Sequence, residues 1–261
     1  MAEKSVASEA SLPRREPRTP GSVRSKLSVT DLAFYATVAV TAALIVWTLQ
    51  IVERAPIERN MGIVQKIFYF HVPSAYSMYI GATACFVGSV MYLIRPSDVG
   101  DALARAGAEL AVVFGAIVMT TGPLWAAKAW GYYWTWDPRL TTSLLSVLIY
   151  VAYLVLRAYS GDGPGERRFA AALGVLGAAN LPIIHYSVQK WAGQHPTVIT
   201  SKGGGLHHPD MKLALGLAIG SFTLFCIVLL WARVRLELAR SRLALAEEDA
   251  IDLGLDDRTE A

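Results

Sequence analysis

Four of the chain's seven tryptophans, Trp125, Trp130, Trp134 and Trp136, fall within twelve positions. Tyr132 and Tyr133 lie among them, interleaved with Gly131 and with Ala and Thr residues. Aromatic rings separated by small residues make a surface on which a large flat apolar ligand can stack. The same rings also suit an interfacial aromatic belt, because indole prefers the headgroup level of a bilayer. A belt spreads a few aromatics over every span end and does not need six in one segment. On composition alone both roles stay open.

Tryptophan cannot ligate iron. A platform for haem therefore needs axial ligands from elsewhere, and histidine is the usual one. The five histidines are His71, His185, His195, His207 and His208. His71 precedes the tryptophan segment in Phe68-Tyr69-Phe70-His71-Val72-Pro73, and His195 follows it in Trp191-Ala192-Gly193-Gln194-His195-Pro196. One on each side, they can supply a ligand above and a ligand below a disc. Taken singly, each is equally an ordinary interfacial histidine. His185, inside an apolar block, is either functional or a neutral imidazole bonded to a neighbouring helix. The His207-His208 pair in a glycine-rich loop is a weak metal signal.

Haem also carries two propionates, which call for cations near the water boundary. Arg139, Lys128 and Lys190 are the nearest candidates, although Arg139 also fits a snorkelling anchor. Asp137, just before Pro138, has the position of a helix cap rather than a catalytic acid. No Ser-His-Asp, zincin or phosphate-loop pattern occurs, so neither stand-alone hydrolysis nor ATP turnover is expected of this chain. Cys85 and Cys226 are the only cysteines and both sit in apolar blocks, which argues against zinc, iron–sulfur and thioredoxin-like centres.

These groups must be positioned by membrane helices. Hydrophobic residues make up 54% of the chain, and the mean hydropathy is +0.39. They come in blocks of roughly 18 to 23 residues, the length that crosses a hydrocarbon layer. Six blocks qualify: 32–52, 73–94, 103–124, 140–157, 169–187 and 212–232. The fold expected is all-α, a single six-span bundle with both termini cytoplasmic. Lys and Arg support that orientation, with sixteen on the terminal side against eight on the other. The segments 53–72, 125–139 and 188–211 then face outward. Residues 1–31 form an expected disordered basic tail, 32–232 the membrane domain and 233–261 a charged, helical tail. The first block is too long for a signal-peptide core. A net charge of +3, scattered over segment ends, excludes nucleic-acid binding. Pro73 is expected to open the second span, Pro138 the fourth, and Pro182 to kink the fifth.

The pattern Trp125…Trp130-Gly131-x-x-Trp134-x-Trp136-Asp137-x-Arg139-Leu140-Thr141 resembles the haem-handling family that shares the "WWD" domain. Tyr69-Phe70-His71-Val72-Pro73-Ser74-Ala75, Asn180-Leu181-Pro182-Ile183-Ile184-His185-Tyr186-Ser187-Val188 and Trp191 to Thr197 resemble its other motifs. Within that family the closest resemblance is to the cytochrome c maturation protein C, or haem exporter protein C, group. It covers roughly 32–232. The resemblance implies haem b held at the outer face of a bacterial inner membrane. Trp125, Trp130, Gly131, Trp134, Trp136, Asp137 and Arg139 would cradle it, and His71 and His195 would be the axial ligands. It also implies delivery to a periplasmic haem chaperone for c-type cytochrome biogenesis. The implied partners are an ATP-binding-cassette ATPase and permease and a small single-span accessory protein. The chain departs from the family's pattern at Ala126-Ala127-Lys128-Ala129, where Gly and Pro are common, and at Tyr133, which replaces a tryptophan. Tyr133 to Pro138 is closer to the synthase of the simpler assembly system, so a haem lyase component acting directly on apocytochrome c is the alternative.

Overall fold

The computed structural model describes residues 28–161, 163–191, 195 and 206–253. Among them the secondary structure is helical, without strands. The elements are α1 (Val29–Arg54), α2 (Phe68–Ile94), α3 (Asp98–Trp130), α4 (Pro138–Tyr159), α5 (Pro164–Trp191) and α6 (Pro209–Asp252). All six are long and apolar enough to cross a membrane. The chain is an all-α integral membrane protein, and an even number of crossings brings both ends of the bundle to one side.

Side chains at the helix starts satisfy backbone N–H groups that no preceding turn can reach. Ser28 and Asp31 form a reciprocal capping box on α1. That helix begins inside the tail expected for 1–31, of which residues 1–27 lie outside the described part. Ser97 caps α3, Asp137 caps α4 with Pro138 at the first helical position, and His208 caps α6. Before α2, the Glu58 carboxylate accepts from the backbone N–H of Met61 (2.7 Å) and Asn60 (2.9 Å), which holds its pKa below the usual carboxylate range.

Two expected boundaries differ from the observed ones. Pro73 does not open the second span, because α2 starts at Phe68 after a short 3₁₀ helix, Ile63–Ile67. Pro73 therefore lies inside the helix and leaves the carbonyl of Tyr69 without its usual donor. Packing of this turn outweighs that loss: Tyr69 is only 1% exposed and belongs to a buried cluster with Met211, Ala214 and Leu215 of α6. The tryptophan segment is likewise not loop throughout. Trp125 to Trp130 continue α3, because Ala126-Ala127-Lys128-Ala129 are strong helix formers. Gly131, at φ 84°, ends the helix in the left-handed conformation that glycine adopts without steric cost. Only 131–137 connect α3 to α4.

α2 and α3 share the closest contact in the bundle. A Cβ on Gly81 would lie 2.6 Å from the backbone nitrogen of Ala111, and one on Gly107 would collide with the backbone of Cys85. Without side chains there, the two backbones touch, as small residues permit in membrane bundles. α4 and α5 are tied by Asn180, whose amide donates to the Thr142 carbonyl (2.7 Å) and the Ser146 hydroxyl (2.8 Å). α1 packs at the edge on α6, with Thr48 and Ser221 bonded at 2.6 Å.

Ion pairs gather at the end of the bundle opposite the tryptophans. Arg157 meets Asp101 at 2.8 Å, Arg105 meets Glu237 at 3.2 Å, and Arg233 pairs with Glu109. The residues after the last apolar block stay helical, since α6 runs on to Asp252. The first ties α4 to α3, and the other two pin α6 and its extension against α3.

Candidate functional site

A cavity of about 420 Å³ opens among the helix ends at the tryptophan side of the bundle. That volume falls in the usual range for a small-molecule pocket. α2 contributes His71, Met78 and Tyr79, and α3 contributes Val118, Met119, Trp125 and Trp130. Tyr133 and Trp134 come from the connection, Arg139 and Ser143 from α4, and Ile184 and His185 from α5. His195 completes the wall.

The two histidines singled out by sequence lie side by side here. Their ring centres are 6.5 Å apart and their planes differ by 29°. His71 sits in the first turns of α2, where Thr121 of α3 meets its Nδ1 at 2.9 Å. His195 has its Nδ1 at 3.5 Å from the guanidinium of Arg139. Arg139 thus brings positive charge to the same wall as both imidazoles.

The tryptophans interlock by their edges. Trp125 and Trp130 are T-shaped at 5.6 Å, and so are Trp134 and Trp136. The Trp134 Nε1–H is buried and has no hydrogen-bond partner among the described residues. A buried donor left unmatched is costly, so this atom marks a place where a polar ligand group would be favourable. The wall therefore fits an amphipathic aromatic disc: apolar faces for a ring, imidazoles for a metal, and an arginine and an indole N–H for acidic substituents.

Six of the nine residues expected at the site line the cavity: His71, His195, Trp125, Trp130, Trp134 and Arg139. The other three have different places. Gly131 ends α3, Asp137 accepts from the Leu140 N–H at 2.8 Å as the cap of α4, and Trp136 is 74% exposed while bracing Trp134. Lys128 and Lys190 are exposed and do not line the cavity, and neither do His207 and His208. His185 does reach the wall. Tyr79, Met119 and Thr121 were not legible as site residues, because periodicity in an apolar span does not reveal which face meets a cavity.

A family model matches residues 20–248, under the description Heme exporter protein C. The chain belongs to the Heme exporter protein C family. A Heme exporter protein C of Bradyrhizobium diazoefficiens is 34% identical over 190 residues, 72% of this chain and 72% of that protein. The Escherichia coli K12 protein of the same name is 35% identical over 185 residues, 69% and 73% of the two chains. That of Paracoccus denitrificans is 31% identical over 198 residues, 74% and 82%. Membership, with the six spanning helices, makes the chain a multi-pass protein of the bacterial inner membrane. Its role is that of the family: haem transport in cytochrome c biogenesis.

Proposed function

We propose that the cavity receives haem b as cargo, with His71 and His195 as its two axial ligands, and presents it outward for transfer. The spacing of the two imidazoles carries this proposal. Two imidazole–metal bonds of about 2 Å each, plus roughly 1 Å from each nitrogen to its ring centre, separate such rings by about 6 Å. The observed 6.5 Å supports a metal between them.

Each neighbour then has a task that its chemistry suits. Trp125, Trp130 and Trp134 cover ring faces and keep water from them, while Arg139 and the Trp134 indole N–H take propionate oxygens. Gly131 and Asp137 set the short connection between α3 and α4, and Trp136 stands outside the cavity where an acceptor can reach it. Delivery is to a periplasmic haem chaperone, in company with an ATP-binding-cassette ATPase and permease and a small single-span protein. The sixteen-to-eight distribution of Lys and Arg supports the outward orientation that this requires, with both termini cytoplasmic.

Extraction of non-covalent haem b from the purified protein, and capture of its acceptor by cross-linking at Trp136, test the proposal. Recovery of a haem chaperone is the expected result. Recovery of an apocytochrome bearing Cys-x-x-Cys-His, with no chaperone, would favour direct haem attachment instead.

A further inference from the structure

Thr121 belongs to no motif of the tryptophan segment and lies one turn before it in α3. Its hydroxyl touches two groups. Its oxygen is 2.7 Å from the Ile117 carbonyl and 2.9 Å from Nδ1 of His71. A hydroxyl has one proton, and a carbonyl oxygen can only accept. Both contacts are satisfied together in one way: Thr121 donates to Ile117, and His71 donates its Nδ1–H to Thr121. The proton on Nδ1 leaves the lone pair of His71 on Nε2. Gly122 makes this contact possible, since a Cβ there would lie 3.2 Å from Cε1 of His71 and press the ring off α3.

We infer that Thr121 is the positioning residue for His71, fixing its tautomer and ring orientation so that Nε2 stands ready for the iron. The inference rests on the haem ligation proposed above. A metal-bound histidine commonly donates its other N–H to a fixed acceptor, which orients the ring and makes it a stronger base. Here the acceptor is a helix hydroxyl whose own proton is already committed to Ile117. It is in place before haem arrives.

Haem titration into the haem-free full-length protein tests this. Thr121→Val keeps the shape and removes the acceptor, and is expected to weaken haem binding about 10-fold or more. It should also raise the haem midpoint potential and shift the low-spin EPR g values. Thr121→Ser restores the hydroxyl and is expected to return all three readouts towards wild type. Nitrogen NMR of histidine-labelled wild-type protein without haem provides a measurement that no folding defect can cloud. The His71 signal, assigned by its loss in His71→Ala, should report the Nδ1–H tautomer. An Nε2–H tautomer in wild type, or Thr121→Val with wild-type affinity, potential and g values, would overturn the inference. Unchanged haem binding in His71→Ala would instead remove the ligation proposal, leaving the tautomer result to stand separately.

Discussion

His71 and His195, on either side of the tryptophan segment in sequence, share one cavity wall with ring centres 6.5 Å apart. They reach it from different elements: His71 from the first turns of α2, His195 from beyond the end of α5. Neither α2 nor α5 alone brings the two imidazoles together. The pair depends on the bundle, and on Arg139 and Thr121 holding the two rings from α4 and α3.

Because the two rings have different neighbours, they need not respond alike to replacement. His195→Met offers a thioether in place of one imidazole and is expected to raise the midpoint potential of bound haem, since mixed His/Met ligation does so. Potentiometric titration of the purified variant against wild type checks this. A potential equal to wild type would mean that His195 is not coordinated.

Arg139 should act on the acidic side of the ligand. Arg139→Ala is expected to weaken haem binding by about 1.5–3 kcal/mol, the usual contribution of a charge-assisted hydrogen bond. Arg139→Lys keeps the charge without the fork and should fall between the two. Esterified haem, which lacks propionate charges, should bind wild type and Arg139→Ala nearly equally.

The tryptophans should divide by position rather than by motif. Trp134→Ala and Trp125→Ala remove cavity wall and are expected to weaken haem binding about 10-fold each. Trp136→Ala, at a side chain 74% exposed, should change it by less than about threefold while reducing transfer to an acceptor. Equal losses for Trp134 and Trp136 in a haem titration would contradict this division.

The α2–α3 contact should be the least tolerant part of the bundle. Gly107→Val drives a side chain into the backbone of Cys85 and is expected to cost about 1–3 kcal/mol or more. Asn180→Leu, which loses bonds to Thr142 and Ser146, is expected to cost about 1 kcal/mol. Thermal unfolding in detergent should rank Gly107→Val below Asn180→Leu.

Much of this was legible in sequence because membrane spans are long apolar blocks, and six of them stand out. The positions of His71 and His195 around the aromatic segment also pointed to one shared place, and both line the same cavity. Boundaries were harder to read. Pro73 looked like a helix start, but the apolar turn Phe68 to Val72 extends α2 before it, and the burial of Tyr69 compensates for the lost backbone bond. The aromatic motif as one segment reads as loop, although four helix-forming residues separate Trp125 from Trp130 and carry α3 through them. Thr121 carried no signal at all. Its role depends on which residue of α2 lies opposite, and that is a property of helix packing rather than of any one segment.

The most direct measurement is the visible spectrum and haem content of the protein purified from haem-replete membranes, beside His71→Ala and His195→Ala. Two-histidine ligation predicts a six-coordinate low-spin spectrum in wild type that is lost, with most of the haem, in each variant. The same spectrum and haem content in both variants would contradict it.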